Sequence, residues 1–210
     1  DNISVDLMYG LPSQTKSDWA ETLSKIVEMH PEHISCYGLK LEPGTRMYKE
    51  YYGSSILPDD DAQADMYSYA AEMLERYGYK QYEISNFAAP GYESRHNLKY
   101  WNMDDYVSFG PGAHSCIGNV RYSFVKDLKQ YIYGVHKKIS IVDEYEQIDP
   151  LERAVEYVML GMRTSRGISE HDYRLRCQCD WKPILKVLQA FKEKGWVELT
   201  EDRWHFTVPG

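Results

Sequence analysis

The sequence predicts an α/β protein: a parallel sheet with covering helices, followed by a small winged-helix-like α+β unit. Three observations carry that reading. Residues 3–39 run strand, helix, strand with short joins, which is the pattern of a βαβ unit. The charge balance changes near Pro150: residues 1–149 hold 14 Lys+Arg against 23 Asp+Glu, whereas residues 150–210 hold 10 against 9. The last stretch, 196–208, alternates on both sides of Glu201-Asp202 as a β-hairpin does.

The first strand is Ile3–Tyr9, with Ile3, Val5, Leu7 and Tyr9 on one face and Ser4, Asp6 and Met8 on the other. Gly10-Leu11-Pro12-Ser13 turns the chain. A helix starts near Thr15, Ser17 or Asp18, with Trp19, Leu23, Ile26 and Val27 as its apolar stripe. The second strand is His33–Leu39. Glu42–Thr45 is a turn, and residues 46–58 read as an irregular surface connection. Asp59-Asp60-Asp61 opens a long helix and suits its dipole better than it suits a divalent metal. That helix carries Met66, Tyr69, Ala70, Met73, Leu74 and Tyr77, and Gly78 stops it. Tyr82–Phe87 reads as a third strand, with Tyr82 and Ile84 opposite Glu83 and Ser85.

Val120–Phe124 is expected as a short strand. Residues 126–149 begin helically and continue as an extended acidic linker. Leu151–Arg163 is an amphipathic helix with Ala154, Val155, Val158, Met159 and Met162 inward. Trp181–Lys194 is another, carrying Ile184, Leu185, Leu188 and Phe191 and stopped by Gly195. The expected domains are therefore residues 1–125, a linker at 126–149, and residues 150–210.

Composition bounds the function. A net charge of −8 argues against a nucleic-acid-binding surface. No apolar run reaches membrane-spanning length, and no signal peptide is expected. Cys36, Cys116, Cys177 and Cys179 are too scattered for a disulfide framework, so a cytoplasmic setting is expected. Cys177-Gln178-Cys179 without a second pair is weak evidence for metal. The chain enters its first strand almost at once without an initiating methionine, and is expected to be a piece of a longer protein.

The most informative stretch runs from Tyr82 to Ser115. It mixes Glu83, Asn86, Arg95, His96, Asn97 and His114 with Tyr100 and Trp101 among turn-forming glycines and prolines, as a pocket for a flat, partly apolar ligand does. The alternative reading is that Tyr100 and Trp101 are core anchors and His96 is a hydrogen-bonding structural residue. Asp6 lies near the C-terminal end of its strand, where parallel sheets bind ligands. It is either an edge carboxylate or an acceptor for ligand hydroxyls. Gly38 either admits a ligand close to the backbone or marks a bend. Phe109–Ser115 is a glycine-rich turn that matches neither GxGxxG nor a P-loop.

The words DLMYGLPSQT, HISCYGLKLEPGT, YEISNFA, RHNLKYW and FGPGAHS, in this order, resemble the oxygen-independent coproporphyrinogen III oxidase-like proteins of the radical SAM superfamily. The HNxxYW word, His96 to Trp101, resembles the heme-chaperone branch. The resemblance covers nearly the whole chain. It implies the C-terminal part of a partial (β/α)₆ barrel followed by the winged-helix-like unit. It implies S-adenosyl-L-methionine and a [4Fe-4S] cluster in the intact protein, held by a CxxxCxxC loop that this chain does not contain. By similarity, Asp6, Gly38 and His114 contact S-adenosyl-L-methionine. For heme, the resemblance implies His96 as iron ligand, Tyr100 and Trp101 on the porphyrin plane, and Arg95 at a propionate. The four cysteines lack cluster spacing, so this polypeptide alone is expected to be inactive in radical chemistry. The implied activity is that of a heme-binding chaperone with a heme-acceptor protein as partner. The alternative is oxidative decarboxylation of coproporphyrinogen III by an oxidase. An unpaired Ile3–Tyr9 edge is expected to dimerise.

Overall fold

A computed structural model describes residues 2–207. It divides into two compact units, residues up to Ser94 and residues from Arg95 on. In the first, β1 (Ser4–Tyr9) pairs parallel with β2 (His33–Gly38), joined by α1 (Lys16–Glu28). Thr15 caps α1 in a capping box with Asp18. Trp19, Leu23 and Val27 are buried along it, as the stripe predicts. α3 (Asp60–Arg76) buries Met66, Ala70, Met73 and Leu74, while Tyr77 is exposed. Asp59 caps it by accepting the Ala62 N–H at 2.8 Å. Trp19 Nε1 donates to the Met66 carbonyl at 3.0 Å, tying the two helices above one face of the sheet. The core there adds Ile34, Cys36, Tyr79 and Phe87.

Two expectations in this unit are corrected. Residues 46–58 are not wholly irregular: Thr45 caps α2 (Arg46–Tyr51) by accepting the Tyr48 N–H. Tyr82–Phe87 is not one strand. It breaks at Ile84-Ser85 into β3 (Lys80–Glu83) and β4 (Asn86–Ala88), paired antiparallel, and β4 also runs antiparallel to β2. The Glu83 carboxylate causes the break. It accepts the Ser85 N–H at 3.0 Å and the Asn86 side-chain amide, satisfying a tight turn locally. A register shift beside Tyr82 lets both Tyr82 and Glu83 be buried, against the expected alternation. The sheet order is β1-β2-β4-β3, with β1 at an edge. It is thus mixed rather than wholly parallel, and no closed barrel is present among the described residues.

The second unit opens with α4 (Arg95–Trp101), a helix that sequence reading did not assign. β5 (His114–Ile117), β6 (Val120–Phe124) and β7 (Val142–Gln147) form an antiparallel sheet, with α5 (Leu128–Lys137) between β6 and β7. The acidic extended stretch is therefore a paired strand, Tyr122 opposite Tyr145. All six of its residues are exposed, which hid it from an apolar pattern. Beyond it come α6 (Pro150–Gly161), α7 (Glu170–Cys177), α8 (Lys182–Glu193) and the hairpin β8 (Val197–Thr200) and β9 (Arg203–Phe206). The helices and hairpin expected there are present, and α7 is additional. Val208, placed in the last strand, lies outside the described residues.

α6 corrects its predicted face. Ala154 and Met162 are buried, but Val155 and Met159 are exposed and Tyr157 takes their place in the core. Two apolar rows were available, 151/155/159 and 154/157/161. Packing selected the second because Gly161 lets Ile168 approach where a Cβ would collide with it. The core of this part gathers Tyr173, Trp181, Leu188, Val197 and Trp204 around Ile168.

Candidate functional site

In the first unit, β1 turns Asp6 away from the helix-packed face, together with Ser4 and Met8. Asp6 is exposed and lies opposite Ser35, while Tyr9 lies opposite Gly38 at the C-terminal end of both strands. Beside Asp6 runs a polar row. The Ser4 hydroxyl meets His33 Nδ1 at 2.8 Å, and His33 Nε2 meets the Tyr82 hydroxyl at 2.8 Å. Burial pushes the His33 imidazole below its ordinary pKa, while the nearby Asp6 charge pulls it upward. Sequence reading did not single out His33, although strict alternation puts it on the polar face with Ser35. Gly38 has a structural demand of its own: a Cβ there would stand 3.2 Å from the Tyr9 ring. A separate open cleft of about 300 Å³ lies between residues 13–16 and 55–58.

In the second unit, α4 presents the HNxxYW word. Helical spacing sets His96 and Tyr100 on one face. Their rings meet edge-on with centroids 5.2 Å apart, and the Tyr100 hydroxyl is 3.3 Å from His96 Nε2. Both residues are exposed. Tyr100 packs in turn against Tyr106, at 4.7 Å and edge-on. Tyr106 is fixed by two backbone hydrogen bonds to Cys116 beside β5. Burial raises the Tyr106 hydroxyl pKa, with Cys116 adding to it and Arg121 opposing. Sequence reading missed Tyr106, since MDDYVS shows no periodic pattern.

Trp101 is five residues past His96, which is about 140° around a helix of 3.6 residues per turn. It lines a small cleft with Asn102, Tyr157, Arg166, Arg176 and Arg203 instead. Arg95 starts α4 and is exposed. His114 starts β5 opposite Ser123 and is exposed. So the structure pairs His96 with Tyr100 and turns Trp101 to another side. Asp6 and Gly38 lie in one unit; Arg95, His96, Tyr100, Trp101 and His114 lie in the other.

An exposed imidazole backed by an aromatic ring is a donor that suits heme iron. The thiols do not suit an iron–sulfur cluster. Burial pushes Cys36 up to about 12, and burial with the neighbouring Cys179 pushes Cys177 up to about 11. Among the described residues, no group of three or more His, Cys, Asp and Glu side chains is arranged to hold a metal ion. No described helix is long and apolar enough to cross a membrane.

Comparison with known proteins places these features. The HemN C-terminal domain family matches residues 148–210. A "Heme chaperone HemW" from Bacillus subtilis is 34% identical over 100% of this chain and 56% of its own length. Another from Synechocystis is 35% identical over 94% of this chain and 49% of its own. A mitochondrial "Radical S-adenosyl methionine domain-containing protein 1" from Danio rerio is 31% identical over 90% and 44%. The solved coproporphyrinogen III oxidase (HemN) from Escherichia coli, titled a radical SAM enzyme, aligns with a TM-score of 0.76 at 20% identity, covering 99% of this chain and 51% of that one. That likeness is one of fold. The chain spans about half the length of the curated relatives it matches. The ordered sequence words, the C-terminal family match and the similarity along the whole chain together liken it to the HemW-type proteins of the radical SAM, oxygen-independent coproporphyrinogen III oxidase-like family.

Proposed function

We propose that this chain is the heme-handling part of a HemW-type heme chaperone of the radical SAM family. The observation that carries the reading is α4. A short exposed helix offers His96 to solvent, and the ring of Tyr100 steadies it from one side. Relatives titled heme chaperones match the chain from end to end, which supports the same reading. His96 is the proposed iron ligand. An iron at Nε2 replaces only the 3.3 Å contact with Tyr100, a small loss. Tyr100 offers its ring to the porphyrin, Arg95 a guanidinium to a propionate, and Trp101 a second aromatic wall further around the helix.

S-adenosyl-L-methionine, where it binds in the intact protein, meets Asp6 through its ribose hydroxyls and Gly38 near its adenine, with His114 as a further contact. Asp6 is suited to that role because it is an exposed carboxylate close to a strand terminus. The cluster is assigned to a CxxxCxxC segment outside this chain. The 150–210 division, the cytoplasmic setting, a heme-acceptor protein and pairing through the β1 edge belong to the same proposal. In support of the division, the C-terminal family match begins at residue 148. In support of edge pairing, β1 ends its sheet.

Hemin titration of the chain and of His96→Ala, followed at the Soret band, tests the reading. Saturable binding that the substitution weakens by about ten-fold or more is expected, the scale of one lost ligand. Equal binding by both removes His96 from the site. Absence of binding by both withdraws this chain as the heme-handling part.

A further inference from the structure

We propose that Arg166 and Arg176 are positioning residues for the HNxxYW helix, so that the helices after Pro150 set how well α4 holds its ligand. The inference rests on the reading of α4 as the porphyrin-binding segment. α4 has seven residues, buries none of them, and is too short to persist alone in water. Its orientation must therefore come from what grips its end. Met103, two residues beyond it, sits in the core formed by α6, α7, α8 and β8 and β9. Three guanidinium groups converge on the same place. Arg153 donates to the Met103 carbonyl at 2.8 Å, Arg176 to the Asn102 carbonyl at 2.6 Å, and Arg166 to Asn102 Oδ1 at 3.1 Å. Cations at a helix C-terminus also meet the negative end of its dipole.

The grip is itself braced. Asp172 accepts from Arg166 at 2.7 Å and from Arg203 at 2.9 Å. Burial alone would raise the Asp172 carboxyl. The Arg203 hydrogen bond and the charges of Arg166, Arg203 and Arg176 override it and hold the group below its ordinary value, so it stays ionised. A second chain of contacts reaches the other side of α4. Tyr100 packs on Tyr106, Arg121 lowers the pKa that burial raises at the Tyr106 hydroxyl, and Arg121 donates to Glu156 of α6 at 2.6 Å. The C-terminal end of α4 and its Tyr100 side thus both answer to the elements after Pro150.

The test is hemin titration of wild type, His96→Ala, Arg166→Ala/Arg176→Ala and Arg176→Lys, with near-ultraviolet circular dichroism to report the Tyr173–Trp181–Trp204 core. The double variant is expected to keep the core signal, to bind hemin about ten-fold more weakly, and to lose part of the histidine-ligated Soret signature. Arg176→Lys is expected to retain most of both, because Arg166 is intact and an ammonium still reaches the Asn102 carbonyl. Should the double variant lose its core, Asn102→Ala, which removes only the side-chain acceptor of Arg166, is expected to weaken binding, and Asn102→Asp to retain it. Wild-type affinity and Soret signature in the double variant, or in Asn102→Ala where the former unfolds, overturns the inference. If His96→Ala weakens binding and these variants do not, only the positioning role falls. If His96→Ala binds as wild type does, the porphyrin reading falls and this inference with it.

Discussion

Single residues here differ more by surroundings than by type. Cys36 and Cys177 are buried thiols pushed up to about 12 and about 11, and Cys177 further spends its hydrogen toward the Arg153 carbonyl. Cys179, two residues on, is only half-buried. In the folded chain at pH 8, iodoacetamide is expected to modify Cys179 while Cys36 and Cys177 react on the order of a hundred-fold more slowly, until denaturant is added. Peptide mass spectrometry reads this directly, and fast native labelling of Cys36 would contradict the burial. His33 makes the opposite kind of prediction. Its pKa is depressed in the fold, so the unfolded chain takes up a proton first as pH falls. The stabilisation is complete above the unfolded value near 6.5 and is lost as pH drops through 6.5 toward the lower folded value. Urea unfolding of the wild type is expected to weaken over that window more steeply than that of His33→Asn. Equal slopes would mean that His33 is not held neutral.

At the scale of elements, helices declared themselves where an apolar stripe coincided with a cap. α1 has Thr15 with Asp18 before Trp19, and α6 has Asp149 with Glu152 before Ala154. Trp19 then does two jobs, filling the space between α1 and the sheet and donating to Met66 of α3. Trp19→Ala is expected to cost about 3–5 kcal/mol in urea unfolding of the first unit, from the lost burial and the cavity. A loss below about 1 kcal/mol would mean that α3 does not depend on it. Elements without an apolar stripe escaped sequence reading for physical reasons. α4 buries nothing, β7 is exposed along its length, and α7 has a polar, charged sequence around Tyr173 and Cys177. The β3–β4 hairpin escaped because its turn is made by a side chain, Glu83, and not by glycine or proline.

For the molecule as a whole, close backbone approaches bind the late elements together. Ile168 and Trp204 exchange backbone hydrogen bonds at 3.0 and 2.8 Å, pulling the segment after α6 onto β9. Gly167 stands beside that bridge with φ +65°, and a Cβ on it would run into the Trp204 carbonyl. Gly167→Ala is therefore expected to destabilise the second unit by about 2 kcal/mol or more, read by tryptophan fluorescence during urea unfolding. An unchanged midpoint would mean that the bridge yields without cost.

The sequence alone determined the α/β class, the βαβ start, the long helices and the ordered words that carry the family resemblance. Each of those is local: a period, a cap or a run of neighbours. It also offered Asp6, Gly38, Arg95, His96, Tyr100, Trp101 and His114 as candidates, because they stand in recognisable words. Only the tertiary structure decided that His96 pairs with Tyr100 while Trp101 turns toward Arg166 and Arg176, that Tyr106 backs the pair, and that His33 joins Ser4 and Tyr82 beside Asp6. It also chose which apolar row of α6 is buried. His96, Tyr100 and Tyr106 are near neighbours that meet once α4 has formed; the other contacts join residues far apart in the chain, and the energies that select them come from packing and desolvation that no local pattern records.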